Sequence, residues 1–307
     1  MSEEQFIPKE DLEVEILDVV PLSQSRNWGL DVCQIDNAWK VTEGDGIKVA
    51  VLDTGIADHD DLVGAWSHDV AFNFSSDGDY IDRKSGHGLH CAGIIGARNN
   101  DFGVVGVAPK CTIIPIKVLN DTGGGNFMSI VEGIKKAMEL DVDIISMSLG
   151  SSSTPPPSLE FAVKNAAKQG IIMVAAAGND GRGVNYPAKY DEVIAVAAMD
   201  ENKNPAPFTS RGEEVDSLAP GVDIYSTFLN NGYAKMSGTS QACPFIAGLC
   251  ALLLAHSRNN PNVPQINNTA DMLRALDEVS FCVNETPDGM KWGFGPPLLY
   301  NVDWNKV

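Results

Sequence analysis

Four residues of the chain have the types and settings for nucleophilic chemistry: Asp53, His87, Asn179 and Ser240. Ser240 stands in Gly238-Thr239-Ser240-Gln241-Ala242-Cys243-Pro244, a glycine turn that runs into an apolar stretch over 245–255. A helix apolar on nearly every face belongs inside a protein. Its N-terminus offers unpaired N–H groups and a positive dipole end to a developing anion. Taken alone, Ser240 reads equally well as the cap of a core helix; its companions turn the reading toward chemistry. A serine hydroxyl is a weak nucleophile at neutral pH. It needs a base to take its proton and a carboxylate to hold that base in one tautomer. The anionic tetrahedral intermediate needs donors already in place. His87 and Asp53 fit as base and carboxylate, and the Asn179 amide and the Ser240 backbone N–H fit as donors.

The elements that must position these residues follow from periodicity. Residues 47–52 form a buried strand that ends at Asp53-Thr54-Gly55. Residues 86–97 read as a tight, glycine-rich helix entered at His87, and 112–118 as a strand in which Pro115 is out of place centrally. Phe127, Ile130, Val131, Ile134, Ala137 and Met138 recur at helical spacing. Strands are predicted over 143–149, 171–176 and 193–197, with Ser158 capping a helix between the first two. Leu12, Val14 and Ile16 alternate with charged residues, as in a short strand. Strands alternating with helices imply an α/β fold with a mainly parallel sheet covered on both faces. Sites in such sheets gather beyond the C-terminal strand ends, where Asp53 and Gly178-Asn179-Asp180 fall.

Composition narrows the partners. A formal charge of −19 argues against nucleic acid and anionic membranes and favours cationic ligands. The apolar run near 242–255 is short and interrupted for a membrane span. No secretory signal is seen at the N-terminus, and the six cysteines include no C-x-x-C pair, so reduced thiols in a cytoplasmic protein are expected.

Val51-Leu52-Asp53-Thr54-Gly55, Gly86-His87-Gly88-Leu89-His90, Ala177-Gly178-Asn179 and Gly238-Thr239-Ser240 closely resemble the signature blocks of subtilisin-like serine proteases, in the family's order Asp, His, Ser. The resemblance spans about 23–300 and implies the family's three-layer fold and endopeptidase activity. In it Ser240 attacks, His87 is base and then acid, Asp53 orients His87, and Asn179 binds the oxyanion. Leu89 departs from the usual threonine, Gln241 from the usual methionine, and Cys243 from a small residue. The resemblance also places an extended substrate between Ser148-Leu149-Gly150 and Gly123-Gly124-Gly125, with Phe127 and Asn185 shaping pockets and Asp180 favouring a basic side chain. A silent peptide-binding scaffold would be expected to lose one of the four residues. An α/β-hydrolase esterase would want G-x-S-x-G and the order Ser, Asp, His.

The resemblance further implies calcium at Gln24, Asp61, Arg98, Asn100, Phe102 and Val104, a set of hard oxygens. A weaker cation site would use the carbonyls of Ala188, Tyr190 and Val193. His87-x-x-His90-Cys91 has zinc-like spacing without a further ligand cluster. Residues 1–22 look like the short extension of intracellular subtilisins, with 23–307 as the peptidase domain; Phe6-Ile7-Pro8 partly fits a motif that binds back across the site as an inhibitor. Intracellular relatives are often homodimers, although no subunit surface is marked in this sequence.

Overall fold

A computed structural model describes residues 14–17, 23–280, 293, 295–299, 302–304 and 306–307. In chain order the first half contains β1 (Val14–Leu17), α1 (Trp28–Val32), α2 (Asp36–Trp39), β2 (Lys48–Asp53), β3 (Phe72–Asn73), α3 (His87–Gly96), β4 (Thr112–Lys117), α4 (Phe127–Glu139) and β5 (Ile144–Met147). The second half contains α5 (Pro157–Lys168), β6 (Ile172–Ala176), β7 (Val193–Met199), β8 (Ser217–Pro220), β9 (Ile224–Phe228), β10 (Gly232–Met236), α6 (Thr239–Asn259) and α7 (Thr269–Val279).

Seven strands form one sheet in the order β3-β4-β2-β5-β6-β7-β8, and every neighbouring pair in it is parallel. Strands β2 and β5 to β7 are apolar and buried nearly throughout, as a sheet covered on both faces requires. On one face α3 and α6 pack together and against the sheet; on the other α4 and α5 do. The expected three-layer α/β architecture is present. Pro115 finds its place because β3 pairs only with Ile116 and Lys117, leaving β4 an edge strand where the proline sits.

Two expectations need correction. Ser158 does not cap α5: the cap is Pro156, Pro157 fills the first helical position that suits proline, and the Ser158 hydroxyl turns to Met128 Sδ at 3.6 Å. The apolar run is not too short in itself. As α6 it reaches 21 residues, long and apolar enough by composition to cross a membrane, yet its apolar window is wholly buried among the sheet and helices. Outside the expected pattern lies the antiparallel sheet β1-β10-β9. Its β9–β10 turn is Asn230-Asn231-Gly232, with φ of 58° and 57° at the asparagines, the left-handed pair a tight hairpin needs.

Candidate active site

Asp53 is the last residue of β2, and His87 opens α3 after Gly86, whose φ of 71° turns the chain into the helix. The two elements approach closely because position 88 has no side chain. A Cβ there would fall 2.3 Å from the Gly55 carbonyl oxygen and 3.2 Å from Asp53 Cβ. His87 Nδ1 consequently lies 2.7 Å from Asp53 Oδ1, with His87 3% and Asp53 1% exposed. A carboxylate only accepts, so Nδ1 carries the proton and Nε2 is left as the basic nitrogen. Oδ1 also accepts from the Thr54 backbone N–H at 2.7 Å, which fixes the carboxylate plane.

Residues that drew no attention in the sequence hold this pair. Thr54 Oγ1 donates to the buried Asp82 Oδ2 at 2.6 Å and accepts from the Gly88 N–H at 2.9 Å, tying the start of α3 to the end of β2. Beneath it Lys117, fully buried, donates to the Thr54 carbonyl and reaches Asp121 at 2.8 Å and Asp77 at 3.1 Å. A buried ammonium survives only with such partners.

Ser240 is the second residue of α6 and 5% exposed. Four residues on stands Pro244, inside the helix and without an N–H to give to the Ser240 carbonyl. Other elements supply the missing donor: Ser148 Oγ at 2.7 Å, from the loop after β5, and Cys91 Sγ at 3.5 Å, from α3. Cys91 Sγ also lies 3.9 Å from His87 Nδ1, so one thiol lies near both the Ser240 backbone and the imidazole. The Ser240 hydroxyl makes a long 3.4 Å contact to the Ser148 carbonyl.

Asn179 follows β6. Its Oδ1 accepts from both the backbone N–H of Thr239 at 2.8 Å and Thr239 Oγ1 at 2.9 Å. A backbone N–H is an obligate donor, so the amide oxygen is held there and Nδ2 is the end turned to the site. A Cβ built on Gly238 would sit 3.3 Å from Asn179 Nδ2 and 3.5 Å from the Ser240 nitrogen. Gly238 is therefore closely neighboured by both expected oxyanion donors.

The groove residues follow from strand order. Since β4 and β5 flank β2, the loops after them rise on either side of Asp53. The first holds Gly123-Gly124-Gly125 in a turn closed on Asn120, whose Oδ1 accepts from the Gly124 N–H at 3.0 Å. The second holds Ser148-Leu149-Gly150. Phe127 is buried at the start of α4. Asn185 packs against both Gly150 and Gly178, joining one wall to the Asn179 turn. Asp180 Oδ1 accepts from Ser210 Oγ at 2.9 Å and from the Arg182 N–H at 3.0 Å, so part of its acceptor capacity is engaged internally.

The expected calcium residues also converge. Gln24 Nε2 lies 2.9 Å from the Arg98 carbonyl and 3.4 Å from both Asn100 Oδ1 and the Val104 carbonyl. Asp61, fully buried, accepts from Asn100 Nδ2 at 3.2 Å, the Val104 N–H at 2.7 Å and the Tyr233 hydroxyl at 2.9 Å. Phe102 joins through its N–H to Asn100 Oδ1 at 3.4 Å. The oxygens around Gln24 Nε2 are hard ligands, and a half-turn of the Gln24 amide adds Oε1 to them; the set fits calcium. Ala188, Tyr190 and Val193 lie on the turn into β7, where the Tyr190 carbonyl accepts from the Val193 N–H at 2.9 Å. His90 stands apart from any His87 pair: its Nε2 meets the Ile224 and Ala234 carbonyls at 3.0 and 3.2 Å, and burial pushes its pKa down to about 3. Cys91 and Cys243 are buried thiols whose pKa is pushed up by burial, the latter to about 12.

Comparison with known proteins agrees with this geometry. Residues 44–277 match the subtilase family. The chain is 45% identical over 259 residues to a thermostable alkaline protease of Halalkalibacterium halodurans, covering 83% of this chain and 70% of that one. It is 40% identical to thermitase of Thermoactinomyces vulgaris, covering 82% and 91% of the two chains. It is 41% identical to subtilisin Savinase of Lederbergia lenta, covering 82% and 93%. With the family match across most of the chain and a buried Asp–His pair set beside a helix-borne serine, this protein belongs to the subtilase family and is a subtilisin-like serine protease.

Proposed function

We propose that the protein is an endopeptidase in which Asp53, His87 and Ser240 act as a triad and Asn179 with the Ser240 N–H binds the oxyanion. Ser240 Oγ attacks the scissile carbonyl and its proton passes to His87 Nε2. The negative oxygen is held by Asn179 Nδ2 and the Ser240 N–H. His87 returns the proton to the leaving amine, leaving an ester on Ser240. Water then attacks the ester by the same route, with His87 again as base. The observation that carries this reading is the 2.7 Å bond from His87 to Asp53, which leaves Nε2 basic in a water-poor site. The test is covalent labelling by a fluorophosphonate. One label on Ser240, lost in Ser240→Ala, supports it; a label on another residue overturns it.

Residues 1–22 we read as an inhibitory extension ahead of a peptidase domain over 23–307, and its β1 pairing supports this. Strand β1 runs antiparallel to β10 with Val14 opposite Met236 and Leu17 opposite Tyr233. The chain thus enters β1 at the end of β10 from which the polypeptide continues through Ser237 and Gly238 to Ser240. Phe6-Ile7-Pro8 lies outside the described residues. In this proposal it is carried into the groove, where proline, lacking an N–H, sets a bond badly for attack. Deleting residues 1–22 is expected to raise kcat/KM on a short peptide by on the order of tenfold or more, since a tethered inhibitor acts at high effective concentration. Unchanged kcat/KM sinks the extension's role.

Calcium at Gln24, Asp61, Arg98, Asn100, Phe102 and Val104 would tie the start of the domain to α3 and β10 and add stability by mass action. A chelator is expected to lower Tm by about 10 °C, from about 4 kcal/mol of binding at a thousandfold excess over Kd. Asp61→Ala should erase that difference, and a Tm indifferent to chelator would remove calcium from the account. The buried free thiols Cys33, Cys91, Cys111, Cys243 and Cys250 suit a reducing compartment, and we propose the cytoplasm.

A further inference from the structure

Gln241 departs from the methionine usual after the family's serine, and the fold treats it strangely. It is fully buried, and among the described residues neither its Oε1 nor its Nε2 has a hydrogen-bond partner. Each buried amide group left unsatisfied lowers stability. A methionine or leucine would fill the same space without that penalty, so the amide is kept at a loss to stability. Such a group calls for a role in function.

Its position supplies one. The point where a Cβ would sit on Gly238 is 3.0 Å from Gln241 Oε1, 3.3 Å from Asn179 Nδ2 and 3.5 Å from the Ser240 nitrogen. The carboxamide and both oxyanion donors therefore lie close around the same point beside Gly238. Burial does not put it beyond reach, because Ser240 and His87 are themselves only 5% and 3% exposed. The two amides differ in freedom. Asn179 is held by Thr239, with its oxygen pinned. Nothing pins Gln241, so a half-turn of its amide exchanges Oε1 for Nε2 and breaks no hydrogen bond.

We propose that Gln241 is a third donor of the oxyanion site, turning Nε2 toward the substrate oxygen as negative charge develops there. The step moves no proton; it adds a hydrogen bond to an anion, stronger than one to a neutral carbonyl. The bond is absent in the free enzyme, so it favours the transition state over the ground state. This rests on the oxyanion role of Asn179 given above.

The test compares Gln241→Met, Gln241→Glu and Asn179→Ala for kcat, KM and Tm on a peptide anilide, and for affinity toward a peptide aldehyde whose adduct carries the oxyanion. Gln241→Met, similar in volume but without a donor, is expected to lose about 10- to 100-fold in kcat with KM within about twofold. Aldehyde affinity should fall by a similar factor, and Tm should stay level or rise as the unsatisfied amide is removed. Gln241→Glu, acceptor only, should lose more. A packing role predicts instead a lower Tm with kcat preserved, and that result overturns the inference. So does a loss confined to KM. If Asn179→Ala lowers kcat and Gln241→Met does not, this inference alone falls; if both leave kcat unchanged, the oxyanion assignment falls with it.

Discussion

Ser240→Ala is expected to lower kcat by about 10⁶-fold, a magnitude carried over from subtilisin itself, where triad members act as one unit. The geometry explains why so little should survive. Ser240 enters α6 just after the Gly238 turn, and its carbonyl is held by Ser148 and Cys91. The Ser148 hydroxyl is committed to the Ser240 carbonyl at 2.7 Å, and the Thr239 hydroxyl to Asn179 Oδ1 at 2.9 Å. The fold should be indifferent to the change, because among the described residues the Oγ makes only a long 3.4 Å hydrogen bond. The measurement is kcat on a peptide anilide beside a thermal melt. A variant that melts like wild type and still turns over within a hundredfold of it would show that Ser240 is not the nucleophile.

Asp53→Ala is expected to cost about 10⁴-fold in kcat, again the scale known for the acid of this triad in subtilisin. The more informative variant is Asp53→Asn. In the structure Oδ1 takes both bonds, from His87 Nδ1 and from the Thr54 N–H, each at 2.7 Å, whereas Oδ2 is buried without a partner among the described residues. An asparagine would keep its oxygen on the obligate Thr54 donor and so still accept from Nδ1. The tautomer would be preserved, and only the charge that stabilises the imidazolium would be lost. Asp53→Asn should therefore lie between wild type and Asp53→Ala in kcat. An asparagine variant as poor as the alanine one would mean that the amide has turned and placed a donor against Nδ1, leaving Nε2 protonated.

Much of this site was legible before any coordinates. The 47–52 run reads as a buried strand because all but Lys48 are apolar and half are β-branched, and an Asp directly after it must sit at the sheet's C-terminal edge. Glycines before His87 and Ser240 mark sharp entries into helices. What could not be read is how side chains choose partners across long separations. Thr239 pins Asn179 from 60 residues away, and Lys117 looks like a solvent-facing strand residue until Asp77 and Asp121 close over it. The β9–β10 hairpin was recoverable: Asn230-Asn231-Gly232 between alternating strands is a known turn signal. Ser158 shows the opposite error, where a good capping residue loses to prolines that fix the first turn without it.

Pro244 carries a consequence for how the enzyme responds to what it grips. Because the helix cannot bond the Ser240 carbonyl, Ser240 is moored to the strand-end loop that the family resemblance makes one bank of the cleft. A peptide settling against Ser148-Leu149-Gly150 would press on the same mooring that sets the serine's attitude. Occupancy at a distance from the cut bond can in this way be felt at the attacking atom, and a long substrate would be felt there more than a short one.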